Sequence, residues 1–231
     1  MTYRIEPVAY TDAPGLSEAM MRAMNQNEHY NLLLNRATTE QLITDTTLRL
    51  TYRLSENRNR LRHQKVIHTE TGQIVGYAHW ELPVSNKNVW LDAQMPAVTG
   101  AEQKSFKDEY DTTELDGKHK LFNYDMGAYV GPGLGKPYNE LVKIGGPYLV
   151  LDYMACHPAH QRKGVASMLL ERGESEARKL GLKIFVMTAT DPAGRAFYER
   201  RGLRNLRTVV LNDSRWGGTT PHVTSFLEKE V

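Results

Sequence analysis

Apolar and polar positions change period several times along the chain, and each change marks an element. Alternation over residues 3–8 predicts a strand. Residues 11–24 then place Leu16, Met20 and Ala23 on one helical face, with Asp12 as N-cap and Pro14 in the first turn. From 39 to 61, Leu42, Ile43, Leu50, Leu54 and Leu61 recur near helical spacing behind a Thr-Thr-Glu-Gln start, which predicts a second helix. Residues 65–82 read as two strands about a Thr71-Gly72 turn.

The pattern breaks over 86–147, where Pro96, Pro132, Pro137 and Pro147 join many glycines around a polar stretch, 101–120, whose middle suits a helix. Unpatterned segments of such length are usually functional or mobile, so this one is read as an insertion lying over a site. Order returns at YLVLDYMAC, 148–156, a strand, and at LKIFVMTAT, 182–190, apolar on both faces like a buried parallel strand. Between them Val165, Met168, Leu169 and Leu180 form one helical stripe that stops at Gly181. Strand, helix and parallel strand make a right-handed crossover. DPAGRAFYERRG, 191–202, predicts another helix, with Asp191 as its cap, Pro192 at its first position and Gly202 at its end, and 206–212 and 222–230 predict two closing strands. No internal repeat occurs.

These elements predict one α/β domain over 1–231, a size ordinary for a single core. Apolar residues at 40% and charged residues at 24% exclude disorder and give no membrane span. A net charge of +2, without a run of five basic residues, disfavours nucleic acid as a partner. Cys156, the single cysteine, excludes an internal disulfide and fits a reducing compartment. With no apolar stretch behind a basic N-terminal segment, the expected location is cytoplasmic.

The candidate chemistry lies in CHPAHQRKGVASMLLERG, 156–173. The first N–H groups of a helix lack partners and carry about half a positive charge, so a basic loop entering through Gly164 suits a phosphate or diphosphate. The dinucleotide fingerprint needs three spaced glycines, and only one is present; the Walker pattern is missing too. GPGLGKP, 131–137, has neither the spacing nor the hydroxyl residue of that pattern and reads as a flexible turn cluster.

Gln161-Arg162-Lys163-Gly164-Val165-Ala166 resembles the acyl-CoA signature of the GNAT acetyltransferases, Q/R-x-x-G-x-G/A. DPAGRAFYERRGL is similar to the family's later segment, N-x-x-A-x-x-x-Y-x-x-x-G-F, so two linked motifs match over 148–203. Asp191, Gly194 and Leu203 depart from that segment's asparagine, alanine and phenylalanine. The resemblance, strongest to fungal-type small-molecule members, implies a mixed sheet of six to seven strands flanked by helices. The acetyl-CoA-binding core would be 148–204, with 86–147 inserted between the third and fourth strands.

The resemblance also implies roles. Acetyl-CoA is the co-substrate, its pantetheine arm pairing with Met154, Ala155 and Cys156, and its diphosphate lying against Gln161, Arg162, Lys163, Gly164, Val165 and Ala166. Asp191 and Gly194 belong to the same site. Tyr198 holds the acid position that protonates the departing thiolate. Asp152, placed by alternation on the face of Met154, and Glu81, ending the third strand, are two open choices of base. The expected activity is acetyl transfer to a small-molecule amine in a ternary complex, without a covalent intermediate. Alternatives are a protein lysine or N-terminal acetyltransferase and a non-catalytic acyl-CoA-binding module. Monomer and homodimer both remain open.

Other reactive residues carry less. Cys156 and His157 would point to opposite strand faces, which excludes a thiol-imidazole pair. His157 and His160 lack further ligands at metal-binding spacing, so no metal is expected. Of Tyr52, Trp80, Trp90, Tyr110, Tyr124, Tyr129 and Tyr138, some are expected to line an acceptor pocket.

Overall fold

The computed structural model describes residues 2–189 and 192–231. The first strand, β1 (Tyr3–Pro7), is followed by the helices α1 (Ala13–Met24), α2 (Glu28–Leu33) and α3 (Thr39–Ser55), then by the hairpin β2 (Leu61–His68) and β3 (Ile74–Glu81). The segment after β3 folds as α4 (Gly100–Asp111), a small hairpin of β4 (Glu114–Leu115) and β5 (Lys118–His119), and α5 (Tyr124–Gly145). β6 (Tyr148–Cys156), α6 (Val165–Leu180), β7 (Lys183–Thr188), α7 (Ala193–Arg200), β8 (Arg204–Leu211) and β9 (His222–Lys229) complete the chain.

Seven strands form one sheet in the order β1-β2-β3-β6-β7-β9-β8. All neighbours are antiparallel except β6 and β7, the pair joined by the α6 crossover. α6 and α7 cover one face, where Val165, Leu169, Leu170 and Tyr198 pack with Ala78, Trp80, Leu149 and Leu151. α1 and α3 cover the other face over Tyr77 and Ala155, and α5 extends that layer over Tyr148, Val150 and Phe185. Among the described residues, no helix is long and apolar enough to cross a membrane.

α6 lies close to the sheet because Gly173 has no side chain. A Cβ there would stand 2.0 Å from Trp80 Cζ2, and the Trp80 ring is fully buried with Nε1 donating to Gln64 Oε1 at 2.9 Å. Gly173→Ala is therefore expected to force α6 outward and cost about 1 to 3 kcal/mol, the usual range for overpacking. Thermal or urea unfolding measures this, and an unchanged stability would contradict the close packing.

Several sequence expectations need correction. Asp12 stands before α1 but makes no cap bond to it; its carboxylate takes the Ala9 N–H at 2.7 Å and the Lys65 ammonium at 2.6 Å. A buried lysine on β2 competes for the carboxylate that alternation alone assigns to the helix end. The second predicted helix ends at Ser55 rather than Leu61, whose spacing satisfies either period and which opens β2. The six-residue α2, capped by Asn27 accepting from the His29 and Tyr30 amides, is too short to show a period. The 131–137 cluster is not a turn but the middle of α5, with Pro132 and Pro137 inside it. Val130 is buried, and Leu134, Tyr138, Leu141 and Val142, which follow it at helical spacing, pack partly buried against the sheet layer and α2, so tertiary packing overrides local propensity.

Candidate acyl-transfer site

Two local rules build the loop before α6. Arg162 (φ 58°) and Gly164 (φ 89°) both take left-handed backbone, and Gly164 is the N-cap with no side-chain bond to the helix. A Cβ on Gly164 would meet nothing within 4 Å, so the space over the first amides of α6 is open. Gln161, Arg162, Lys163 and Gly164 are exposed, while Val165 is buried and anchors the helix start. Gln161 Nε2 reaches the Cys156 carbonyl and Gln26 Oε1, both at 3.3 Å, which ties the loop to the end of β6.

β7 pairs with β6 only from Tyr148 to Leu151. At that point the β3–β6 register shifts: Trp80 faces Leu151, His79 faces Tyr153, and Asp152 is the extra residue of a bulge. A bulge bends its strand. From Asp152 to Cys156, β6 keeps β3 on one side and has no strand partner on the other among the described residues, while Met187 and Thr188 of β7 pair with β9. A wedge thus opens between β6 and β7. Its backbone edge, Asp152–Cys156, includes Met154, Ala155 and Cys156.

Met154 and Cys156 pack on the α6 side with Phe197 and Tyr198. Tyr198 is buried, and burial first, then Cys156, opposes loss of its proton. Arg201, next after α7, binds Glu171 at 2.5 Å and Ser167, both on α6, which holds the helix carrying Tyr198 against the signature helix. Gly194 lies in the first turn of α7; Asp191 lies outside the described residues. Burial pushes the Cys156 thiol up to about 12, so it stays protonated and unreactive.

The bulge also corrects the placement of Asp152. Alternation puts it beside Met154, but the extra residue turns it to the opposite face, where Oδ2 meets His79 Nε2 at 2.5 Å. The His79 hydrogen bond is the main cause that lowers the Asp152 pKa, against the opposing effect of burial. Both residues line a cavity of about 430 Å³ beneath α1 and α3. Its walls are Met20, Met21, Met24, Leu42, Leu50 and Leu54, and its floor holds His63, Tyr77, His79 and Tyr153. Asp45 on α3 and His119 on β5 pair at 2.8 Å and line it too, so the segment between β3 and β6 supplies part of its wall. Arg49 fixes that segment by bonding Thr113 and the Tyr110 hydroxyl, each at 2.6 Å.

Glu81 is not brought to this cavity. It pairs with Arg60 at 2.5 Å and lines a separate space of about 370 Å³ with Tyr138, Tyr148 and Val150. The aromatic expectation also shifts: Trp80 and Trp90 are core residues on the α6 side, and the rings lining the larger cavity are Tyr30, Tyr77 and Tyr153. Sequence reasoning missed His79, because only the bulge shows it facing Asp152. Among the described residues, no group of three or more His, Cys, Asp or Glu could hold a metal ion.

His63 gives a pH prediction. Its Nδ1 lies 2.8 Å from the Tyr77 hydroxyl, and burial first, then the charges of His79 and Arg62, pushes its pKa down to about 3. An unfolded imidazole titrates near about 6.5, so the unfolded chain binds the proton first and stability falls as pH drops from there toward 3. Between pH 7 and 5 the loss from this group is about 2 kcal/mol. Urea unfolding at the two pH values measures it, and His63→Gln should shrink the difference; an equal loss in the variant would remove His63 as its source.

The sequence matches the model of the Acetyltransferase (GNAT) family over residues 33–203, well over half of the chain. The protein belongs to that family. No curated protein is matched. Similar solved folds include the C-terminal condensation domain of Ebony in complex with beta-alanyl-dopamine, at 16% identity and a TM-score of 0.64, covering 99% of each chain. A second is histone acetyltransferase HPA2 and related acetyltransferase from Corynebacterium glutamicum, at 15% identity and a TM-score of 0.56, covering 98% of this chain and 96% of that one. A third is the Drosophila melanogaster polyamine N-acetyltransferase, which forms N-acetylagmatine, at 12% identity and a TM-score of 0.52, covering 99% and 100%.

Proposed function

We propose that the chain transfers an acetyl group from acetyl-CoA to the amine of a small molecule with an apolar body, by direct attack in a ternary complex. The observation that carries this reading is the wedge between β6 and β7, which separates Tyr198 and the signature loop on one face from the roofed cavity on the other. The residues present fit acetyl-CoA. Arg162 and Lys163 add charge to the free amides of α6 for the diphosphate, with Gln161, Gly164, Val165 and Ala166 shaping the approach. The unpaired edge at Met154, Ala155 and Cys156 offers strand-like hydrogen bonds to the pantetheine amides. Gly194, in the first turn of α7, belongs to the same site in this reading. When bound, acetyl-CoA supplies the thioester, and Tyr198 donates the proton that the departing sulfur needs.

The acceptor enters from the α1–α3 side. Methionine and leucine walls favour an apolar body, and the enclosure by α3 and the β4–β5 hairpin favours a small molecule over a protein tail. A protein acetyltransferase is the second reading within the family, and a non-catalytic acyl-CoA-binding module the alternative outside it. Amine-dependent release of free thiol from acetyl-CoA separates them. The expected result is release with small apolar or aromatic amines exceeding that with lysine peptides; tight acetyl-CoA binding without amine-dependent release would leave the module.

His119 sets a further expectation. His119→Ala removes part of the cavity wall, so KM for the acceptor should rise several-fold while KM for acetyl-CoA stays unchanged. Equal changes in both would place His119 outside the acceptor site.

A further inference from the structure

We propose that His79 takes the proton from the incoming ammonium group and that Asp152 is its positioning residue. The inference rests on the acetyltransferase reading and deepens it. A primary amine is protonated near neutral pH, and only its free lone pair attacks a carbonyl, so the acceptor face of the wedge needs a proton acceptor close to where β6 and β7 part. Asp152 marks that point as the bulged residue, and the only side chain its carboxylate binds among the described residues is His79.

The other basic groups of the cavity stand on other elements or are buried; His119, the other imidazole bonded to a carboxylate, lies on β5, whereas His79 lies on β3, the strand paired with the free end of β6. Asp45 is paired with His119 and Glu56 with Arg53. His63 is buried, with Nδ1 on the Tyr77 hydroxyl. Glu81 lies in the neighbouring space against Arg60. A carboxylate already stabilised by a hydrogen bond is a weak base, whereas an imidazole is the side chain whose ordinary basicity suits neutral pH. His79 keeps 22% of its side chain exposed, so a substrate reaches it.

The groups facing His79 are Asp152 and Tyr153 on β6, His63 on β2 and Tyr77 on its own strand; α1 adds only Met20, Met21 and Met24 to the same cavity. Tyr30 on α2 adds a protonated phenol whose ionisation burial and Asp152 oppose. Among the described residues Asp152 is thus the one carboxylate bonded to the ring, and it orients the imidazole.

The step balances as follows. One ammonium proton passes to the His79 imidazole, and the freed nitrogen pair forms the C–N bond at the thioester carbon. The C–S bond then breaks with its electron pair on sulfur, sulfur takes the Tyr198 proton, and the phenolate takes the second nitrogen proton. His79 returns its proton to water.

The test measures amine-dependent thiol release from pH 5.5 to 9 for wild type, His79→Gln and Asp152→Asn. His79→Gln should lower kcat by about 10²- to 10⁴-fold and remove the acid limb of the profile, with acetyl-CoA affinity within about twofold of wild type. Asp152→Asn should keep the limb but move it to lower pH, a change that a merely structural role would not produce. Added imidazole should restore part of the activity of His79→Ala. An unaltered rate and limb in His79→Gln, or a pH–rate profile of Asp152→Asn identical to wild type, overturns the proposal while leaving the acetyltransferase reading intact. Absence of thiol release in the wild type with any amine sinks both.

Discussion

Tyr198→Phe is expected to lower kcat by about 10²- to 10⁴-fold, the usual worth of a positioned general acid, while acetyl-CoA affinity barely changes. Tyr198 sits on α7 in the same packed cluster as Met154 and Cys156, which lie in the unpaired end of β6. Burial keeps it protonated across the working pH range, so it enters the reaction as a donor. Phenylalanine preserves the ring and its edge-on contact with Phe197, whose centroid is 5.1 Å away, so folding should survive. Steady-state kinetics with calorimetry of acetyl-CoA binding separate the two effects. A normal kcat would remove Tyr198 from the acid role.

Gly164→Val is expected to weaken acetyl-CoA binding by roughly 30- to 150-fold, corresponding to about 2 to 3 kcal/mol, the worth of one hydrogen bond to a charged group. Two causes act together. The backbone φ of 89° is unfavourable for a β-branched residue, and the new side chain would occupy the open space over the first amides of α6. The backbone strain also costs fold stability, about 1 to 2 kcal/mol, so urea unfolding is measured beside the titration and binding is compared at a temperature where both proteins are folded. Isothermal titration with acetyl-CoA reads the affinity, and an unchanged Kd would mean that the diphosphate lies elsewhere.

Local rules explain why the signature region was legible. The strand at 148–156, the helix from Val165 to Leu180 and the stop at Gly181 each depend on a few neighbouring residues, and the structure has all three; within the stripe Val165, Leu169 and Leu180 reach the core and Leu170 does so in place of Met168. Gly181 and Gly202 take the left-handed backbone that a helix end favours. What was not legible depends on partners distant in sequence. Asp152 changes face because β3 imposes a register shift on β6, and no alternation within 148–156 carries that information. His79 becomes a candidate only once that shift is known. α5 runs through two prolines and five glycines because its apolar stripe finds the sheet and α2, a gain that propensity cannot weigh. The Asp12 cap failed for the same reason, since Lys65 comes from 53 residues away.

The segment between β3 and β6 shows a middle case. Its separateness from the strand pattern was visible, and so was a helix in its polar part, now α4. The docking of that helix was not, because it runs through Tyr110 against Arg49 and Arg53 on α3, contacts that need both helices in place.

The central claim is that the wedge beside Asp152–Cys156 and the start of α6 together hold acetyl-CoA, and a crystal structure with CoA bound tests it most directly. The account predicts the diphosphate within hydrogen-bond distance of the first α6 amides, the pantetheine along the free edge of β6, and the sulfur between Tyr198 and the His79–Asp152 pair. CoA bound away from that edge, or with its sulfur shut off from the cavity under α1 and α3, would contradict it.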